Sequence, residues 1–372
     1  MSSHSSNWPE VALGEVCELK YGKSLPEEKR TGGAIPVYGS NGIVGQHSDA
    51  ITVGAAIIVG RKGSFGEVHL SRKPCWPIDT TYFIDRTATK ADLCWLSYRL
   101  KALGLNRLNR AAAVPGLNRE DAYRQRLRLP PLAEQRRIAG VLDQAEALRA
   151  KRRAALTQLD TLTQSIFNDL FGDAATNPTG WPVSDVGDVI LSASDGPHVS
   201  PNYVEEGVPF LSTRHVRVGG MNWEDIKFIS YEDAQIHWKK CKPERGDILY
   251  TKGGTTGIAK AVDFDQQVAI WVHIALLKPN KSKVESIWLE AMLNSAFCYQ
   301  QSQRLTHGIA NRDLGLTRMV KIKIFLPPLS LQREFARRVA AVEKLKTVQR
   351  ASRDELDALF ASLQHRAFRG EL

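Results

Sequence analysis

Two glycine-rich loops hold the residues best suited to chemistry. Gly60-Arg61-Lys62-Gly63-Ser64-Phe65-Gly66 follows the apolar run Ala56–Val59, and Thr251-Lys252-Gly253-Gly254-Thr255-Thr256-Gly257 follows Asp247–Tyr250. Glycine lets a backbone approach a phosphate closely. Arg61, Lys62 and Lys252 add charge there, and Ser64, Thr255 and Thr256 add hydroxyl donors. This is the chemistry of holding a polyanion; its plain counterpart is an ordinary hairpin turn with solvated bases. A second pair of turns follows two short strand patterns. Tyr38-Gly39-Ser40-Asn41-Gly42 and Ser212-Thr213-Arg214-His215 carry groups able to read base edges, Asn41 and Arg214 above all. Simple turn chemistry accounts for such residues equally well.

A search for catalytic constellations returns nothing coherent. The nearest approach to a phosphate-binding Gly-x-x-x-x-Gly-Lys-Ser/Thr loop, Gly253 to Lys260, has the wrong spacing. The nine histidines form no His-Glu-x-x-His and have no cysteine at ligand spacing, so no metal site is expected. There is no Gly-x-Ser-x-Gly elbow, and both Pro-Pro pairs are flanked by leucines rather than by the Asn or Asp and aromatic of an amino-methyltransferase. Asp225-Ile226-Lys227 could pass for half of a nuclease site, but it lacks a partner carboxylate. A chain of 372 residues with this absence reads as a binding or assembly subunit. Its net charge of +10 favours a polyanionic partner.

What must position the loops is written in a repeat. Leu129-Pro130-Pro131-Leu132 recurs as Leu326-Pro327-Pro328-Leu329, and each copy opens about forty residues of helical pattern. Proline lacks a donor and pushes its predecessor out of the α region, so helix can begin only at the end of each motif. A 3.5-residue ladder runs Ile138, Leu142, Ala145, Arg149, Arg152, Leu156, Leu159, Thr163, Ile166, Leu170 in the first copy. In the second it runs Phe335, Val339, Val342, Lys346, Gln349, Arg353, Leu356, Phe360, Leu363, Ala367. Mostly apolar ladders with polar middles suit a coiled-coil seam, and antiparallel pairing would bring the two middles together. Basic residues in those middles, among them Arg149, Arg152, Lys346 and Arg353, could lie over a partner or over phosphates; solvated helix faces are the usual explanation.

The globular stretches repeat as well. Trp8-Pro9 reopens as Trp181-Pro182, Trp95-Leu96 as Trp288-Leu289, and Asn118-Arg119 as Asn311-Arg312, with the second copy longer in the region of Arg217 to Lys242. The four tryptophans occupy apolar positions and are expected as core anchors. Met1 to Asn7 is polar, is expected to be disordered and lacks the features of a signal peptide. No apolar run approaches a membrane span. Five scattered cysteines without a Cys-x-x-Cys indicate a reduced, cytoplasmic protein.

Taken together, the paired Leu-Pro-Pro-Leu motifs, Glu134-Gln135 and Gln332 just behind them, and the strand-to-glycine-loop blocks ending at Gly66 and Gly257 resemble the specificity subunit of type I restriction-modification systems. The second helix start departs slightly, with Leu331 where the first copy has Glu134. The resemblance implies an α+β fold of two globular α/β target-recognition domains, separated by two long helices forming an antiparallel coiled coil, in a pseudo-twofold duplication. Its boundaries would be 1–128, 129–173, 174–325 and 326–372. It implies no catalysis by this chain, and double-stranded DNA read as an asymmetric bipartite site. Two modification (methyltransferase) subunits would dock, with ATP-driven restriction subunits in the full complex. S-adenosylmethionine, ATP and magnesium would belong to those partners. On this reading Tyr38, Ser40, Asn41, Arg61, Lys62, Ser64, Arg214, His215, Lys252, Thr255 and Thr256 are the candidate DNA contacts. Gln135, Arg149, Arg152, Gln332, Lys346 and Arg353 are the partner and spacer residues. A methyltransferase or nuclease with an unrecognised site, or a coiled-coil scaffold that binds no DNA, are the alternatives.

Overall fold

The computed structural model describes residues 8–108, 116–309 and 311–372, so the expectation about Met1 to Asn7 lies outside the described residues. Two compact units divide the chain: Met1–Ala154 with Ala351–Leu372, and Ala155–Arg350. In the first unit, Ala56–Gly60 is buried at every position, as its continuous apolar run requires. It sits inside a four-stranded antiparallel sheet ordered Lys20–Tyr21, Thr81–Asp85, Ala56–Gly60, Val68–Ser71. A three-stranded sheet is ordered Gly42–His47, Ile35–Gly39, Trp76–Pro77, the last pairing being parallel. A ribbon of Glu10–Ala12 against Arg126–Arg128 brings entry and exit of the domain side by side.

The second unit repeats this plan. Its inner strand Ile248–Thr251 is again wholly buried, within the order Ile190–Asp195, Ile274–Pro279, Ile248–Thr251, Ala259–Ala261. The other sheet is ordered Tyr203–Val204, Lys227–Ile229, Val208–Leu211, Ala269–Ile270, and the ribbon pairs Val183–Asp185 with Lys323–Phe325. The extra length of this copy forms a hairpin, Val216–Arg217 with Gly220–Met221, and the helix Tyr231–Lys240. Ser230 caps that helix by accepting from the Asp233 amide at 3.1 Å. Ala234 and Trp238 on the helix are buried against Val208, Phe210 and Ala269. Trp95 and Trp288 are fully buried anchors, as expected. Trp8 and Trp181 are only half-buried, because they flank ribbons with one open face.

The helices run over Leu132–Phe171 and Leu329–Arg369, each beginning directly behind its two prolines. Each unit holds part of both. In the first unit Ile138 and Leu142 share a core with Ala367 and Phe368. Further along, Arg149 Nε donates to Asp357 Oδ1 at 2.6 Å, its guanidinium 4.4 Å from the Phe360 ring centre. In the second unit Phe167 and Phe171 pack on Phe335, both with ring centres 5.7 Å away, and Lys346 Nζ lies 3.3 Å from Asp160 Oδ1. Numbers rise along one helix as they fall along the other, so the pairing is antiparallel. Arg149 and Lys346 are repeat equivalents, and so are Asp160 and Asp357. One ion pair, used twice, therefore closes the polar middles. Among the described residues no helix is long and apolar enough to cross a membrane.

Candidate nucleic-acid interface

The two glycine loops share one backbone. Gly63 and Gly254 have φ of 71° and 67° with open space beside them, and Gly66 and Gly257 have φ of 77° and 93°. At Gly66 an added Cβ would stand 2.2 Å from the Asn106 amide nitrogen, so the sharp return needs glycine. The Thr80 carbonyl gathers the first site. It accepts from the Arg61 and Lys62 amides at 2.9 and 3.1 Å, and from Ser40 Oγ at 2.6 Å. The turn at Ser40 and the loop at Arg61 are thereby one structure. In the second unit the His273 carbonyl takes the same part, accepting from the Lys252 and Gly253 amides.

On this shared frame the side chains diverge. In the first unit Asn41, Lys62 and Ser64 are exposed, and the Lys62 ammonium has no partner among the described residues. Arg61 is half-exposed. It donates to the Asp79 carbonyl at 2.8 and 3.1 Å and lies 5.3 Å from the centre of the Tyr21 ring, which is 53% exposed. Arg119 reaches the same ring at 5.4 Å. In the second unit Arg214 and Thr255 are exposed, Arg214 donating at long range to the Asp225 carbonyl. Arg312, the counterpart of Arg119, is exposed beside the loop, whose Gly254 amide donates to the Arg312 carbonyl at 3.0 Å. Tyr21, Arg119 and Arg312 lie outside the contacts expected from sequence, although the repeat of Asn118-Arg119 as Asn311-Arg312 is a signal for the two arginines.

Five of the candidates are buried and leave the set of exposed groups. Tyr38 packs in a small core with Ala56, Ile58 and Cys75. Ser40 is spent on Thr80. His215 is 1% exposed and accepts from the Ser212 amide at 2.8 Å; burial first, then the neighbouring Arg214 charge, hold its pKa below the usual imidazole value. Thr256 is buried and bonds to Thr306 Oγ1 at 3.0 Å. Lys252, expected as a phosphate ligand, is 7% exposed and sits between Asp195 at 3.2 Å and Asp313 at 3.3 Å. Burial opposes ionisation of Asp195, but bonds from Lys240 and Lys252 outweigh it and keep the carboxyl below its ordinary range.

The helix residues also turn inward. Gln135 is buried; its Oε1 accepts from the Asp92 amide at 2.8 Å and its Nε2 donates to the Pro130 carbonyl at 2.9 Å. Gln332 repeats this with the Glu285 amide at 2.9 Å and the Pro327 carbonyl at 2.8 Å. Asp92 and Glu285 are the N-caps of Leu93–Leu103 and Ser286–Leu293, so each glutamine ties a long helix to the domain before it. Neither glutamine is a surface contact for a partner. Arg149 and Lys346 serve the interhelical pairs, the latter 5% exposed, whereas Arg353 is paired with its neighbour Asp354 on the surface. Arg152 is half-buried on the seam side.

A family model described as the type I restriction modification DNA specificity domain matches residues 5–158 and again 178–358. The chain belongs to that family. Among curated relatives of this specificity family, the type I restriction enzyme MjaVIII specificity subunit of Methanocaldococcus jannaschii is 20% identical over 310 residues, covering 78% of this chain and 73% of the relative. The type I restriction enzyme EcoBI specificity subunit of Escherichia coli is 23% identical, covering 66% of this chain and 58% of its own length. Among solved structures, the type I restriction-modification S subunit from M. genitalium matches with a TM-score of 0.66 at 16% identity, over 99% of this chain and 98% of that one. A chain from a structure of type I R-M complex assembly matches with a TM-score of 0.55 at 20% identity, over 98% of both. At such identities the likeness concerns the fold. The two family matches fall one on each copy of the internal repeat, as a specificity subunit with two domains requires.

Proposed function

We propose that this specificity subunit reads an asymmetric, bipartite DNA site, one half per globular domain, and carries no catalysis of its own. The observation that carries this is the divergence on a shared frame: Asn41 against Arg214, Lys62 against Gly253, and Ser64 against Thr255 at equivalent places. Two different sets of exposed polar groups on one scaffold suit two different half-sites, with the paired helices as spacer. The exposed readers of this proposal are Asn41, Arg61, Lys62, Ser64 and Arg119 in one domain, and Arg214, Thr255 and Arg312 in the other.

Exposed leucines support the docking of two copies of one partner. Leu148 and Leu345 are repeat equivalents, 54% and 52% exposed, and so are Leu162 and Leu359 at 38% and 52%. Each unit thus presents one leucine of each pair on its helices, and duplicated apolar patches fit duplicated modification subunits. Those subunits would supply S-adenosylmethionine-dependent methylation, and restriction subunits ATP- and magnesium-dependent cleavage, in the cytoplasm. The test is methylome sequencing of a host carrying this chain with its modification subunit, beside assays of the purified chain alone. The expected result is one methylated site with two unlike halves, and no activity from the isolated chain. Methylation or cleavage by the chain alone, or a site with two identical halves, would overturn the proposal.

A further inference from the structure

The repeat exposes one place where the two units part company completely. In the second unit Met292, Phe325, Phe167 and Phe171 are all buried, with Phe167 at 5.0 Å from Phe171 and 6.2 Å from Phe325 between ring centres. The ribbon registers set Glu10 opposite Arg128 and Val183 opposite Phe325, which makes Arg128 the counterpart of Phe325. By the spacing of Trp95 and Trp288, Arg99 is the counterpart of Met292; by the helix repeat, Gln364 is that of Phe167 and Phe368 that of Phe171. What is a solid aromatic core in one unit is an open cavity of about 480 Å³ in the other, lined by Arg99, Arg126, Arg128, His365, Phe368 and Arg369.

Positive charge predominates in this cavity. Among the described residues, Glu10 is its one acidic lining residue. Arg126 and Arg128 donate to the backbone carbonyls of Glu10 and Arg369, each at 3.3 Å, and among the described residues Arg369 alone of the four arginines pairs with a carboxylate, Glu371 at 3.1 Å. Arg99 is half-buried, whereas Arg126, Arg128 and Arg369 are exposed. The Arg99 guanidinium lies 5.1 Å from the Phe368 ring centre, and its Nε is shut away from solvent with no hydrogen-bond partner among the described residues. Burial depresses its pKa without a counter-charge to offset it. A buried donor without an acceptor costs stability, and the second unit shows that the fold can fill this place with apolar side chains. The cavity is therefore not imposed by the architecture.

We propose that this cavity is a phosphate-binding site, in which Arg99 and Arg128 receive the oxyanion while Arg126 and Arg369 close the rim. Guanidinium forks match phosphate oxygens bidentately, and the aromatic floor fixes the Arg99 plane. The phosphate could belong to a free phosphate ester or to a DNA backbone. Calorimetric titration of the full chain with inorganic pyrophosphate at constant ionic strength tests this, with a short duplex as the second arm. Arg99→Met and Arg128→Phe each install the residue of the other unit, and each should weaken pyrophosphate binding at least tenfold. Lys62→Ala, which alters the proposed DNA surface, should leave that binding unchanged. Loss of duplex affinity in the same cavity variants would identify a DNA phosphate as the ligand; unchanged duplex affinity would identify a free phosphate ester. If Arg99→Met unfolds the chain, Arg128→Phe and Arg99→Lys carry the test, the latter retaining charge but losing the fork. The site is refuted by no pyrophosphate binding, by equal binding in wild type and variants, or by equal loss in Lys62→Ala.

Discussion

The first and second glycine loops begin from the same ladder and arrive at opposite chemistry. Register places Tyr21 opposite Tyr82 in one unit, where Asp195 lies opposite Ala275 in the other. Arg61 and Lys252 stand at the same loop position above these pairs. With tyrosines beneath it, the guanidinium lies on an aromatic face and stays at the surface. With a carboxylate beneath it, the ammonium is drawn in between Asp195 and Asp313 and closed off. Arginine keeps its charge accessible while stacked, whereas a lysine paired with two acids inside a protein is a structural ion. Equivalent position therefore does not mean equivalent role.

The largest expected effect breaks this comparison on stability. Lys252→Ala removes the ammonium shared by Asp195 and Asp313 and leaves the buried Asp195 with Lys240 alone, so chemical denaturation should show a loss of about 3 kcal/mol. Arg61→Ala removes a partly exposed stacked cation and should cost below about 1 kcal/mol. Similar losses for both variants would mean that the two loops are alike after all.

The next effect sharpens the comparison on sequence reading. Asn41→Ala and Arg214→Ala should each cost about 1–3 kcal/mol on the proper site and relax preference at one base. The relaxed positions should fall in opposite halves of the site. A binding selection in which both variants altered the same half would contradict one domain per half-site, and a uniform loss across sequences would demote the residue to positioning.

A smaller effect concerns charge. Lys62→Ala should reduce the slope of log affinity against log salt by about one, the share of one phosphate contact. Lys252→Met, if it remains folded, should leave that slope unchanged. An unaltered slope in Lys62→Ala would return the first loop to the status of a plain turn.

The smallest effect is on pH. Burial is the main cause holding the imidazoles of His215 and His237 below their ordinary value of 6.5, so the folded second unit takes up protons there less readily than the unfolded chain. On unfolding they can take up protons, so their contribution to stability is full above about pH 6.5 and is lost as pH falls below it. The unfolding midpoint should therefore drop between pH 7.5 and 5.5. His237→Phe, which keeps an aromatic against Phe210, should flatten that drop; an unchanged pH profile would show that His237 does not contribute to it.

Much of the architecture follows from the sequence by itself. The doubled Leu-Pro-Pro-Leu fixes both helix starts because proline forbids earlier ones, and the 3.5-residue ladders select the seam that the structure shows. The short apolar runs that enter each loop fit interior strands, which both form. The glycine positions of both loops were legible too, since a positive φ followed by a tight return leaves little choice of residue. What tertiary structure decided was the direction of each polar side chain. Gln135 and Gln332 look like surface residues just inside a helix, but a backbone amide left by a neighbouring N-cap draws them in. Lys252 reads as a phosphate ligand until Asp195, distant in sequence, is placed under it by strand register. Nothing in the helical spacing around Arg99 foretells its neighbour, and only the packing of the second long helix puts Phe368 against it. Periodicity along the chain specifies which face of an element is buried; whether a charge on that face meets a carboxylate, an aromatic ring or a cavity depends on residues that only folding brings near.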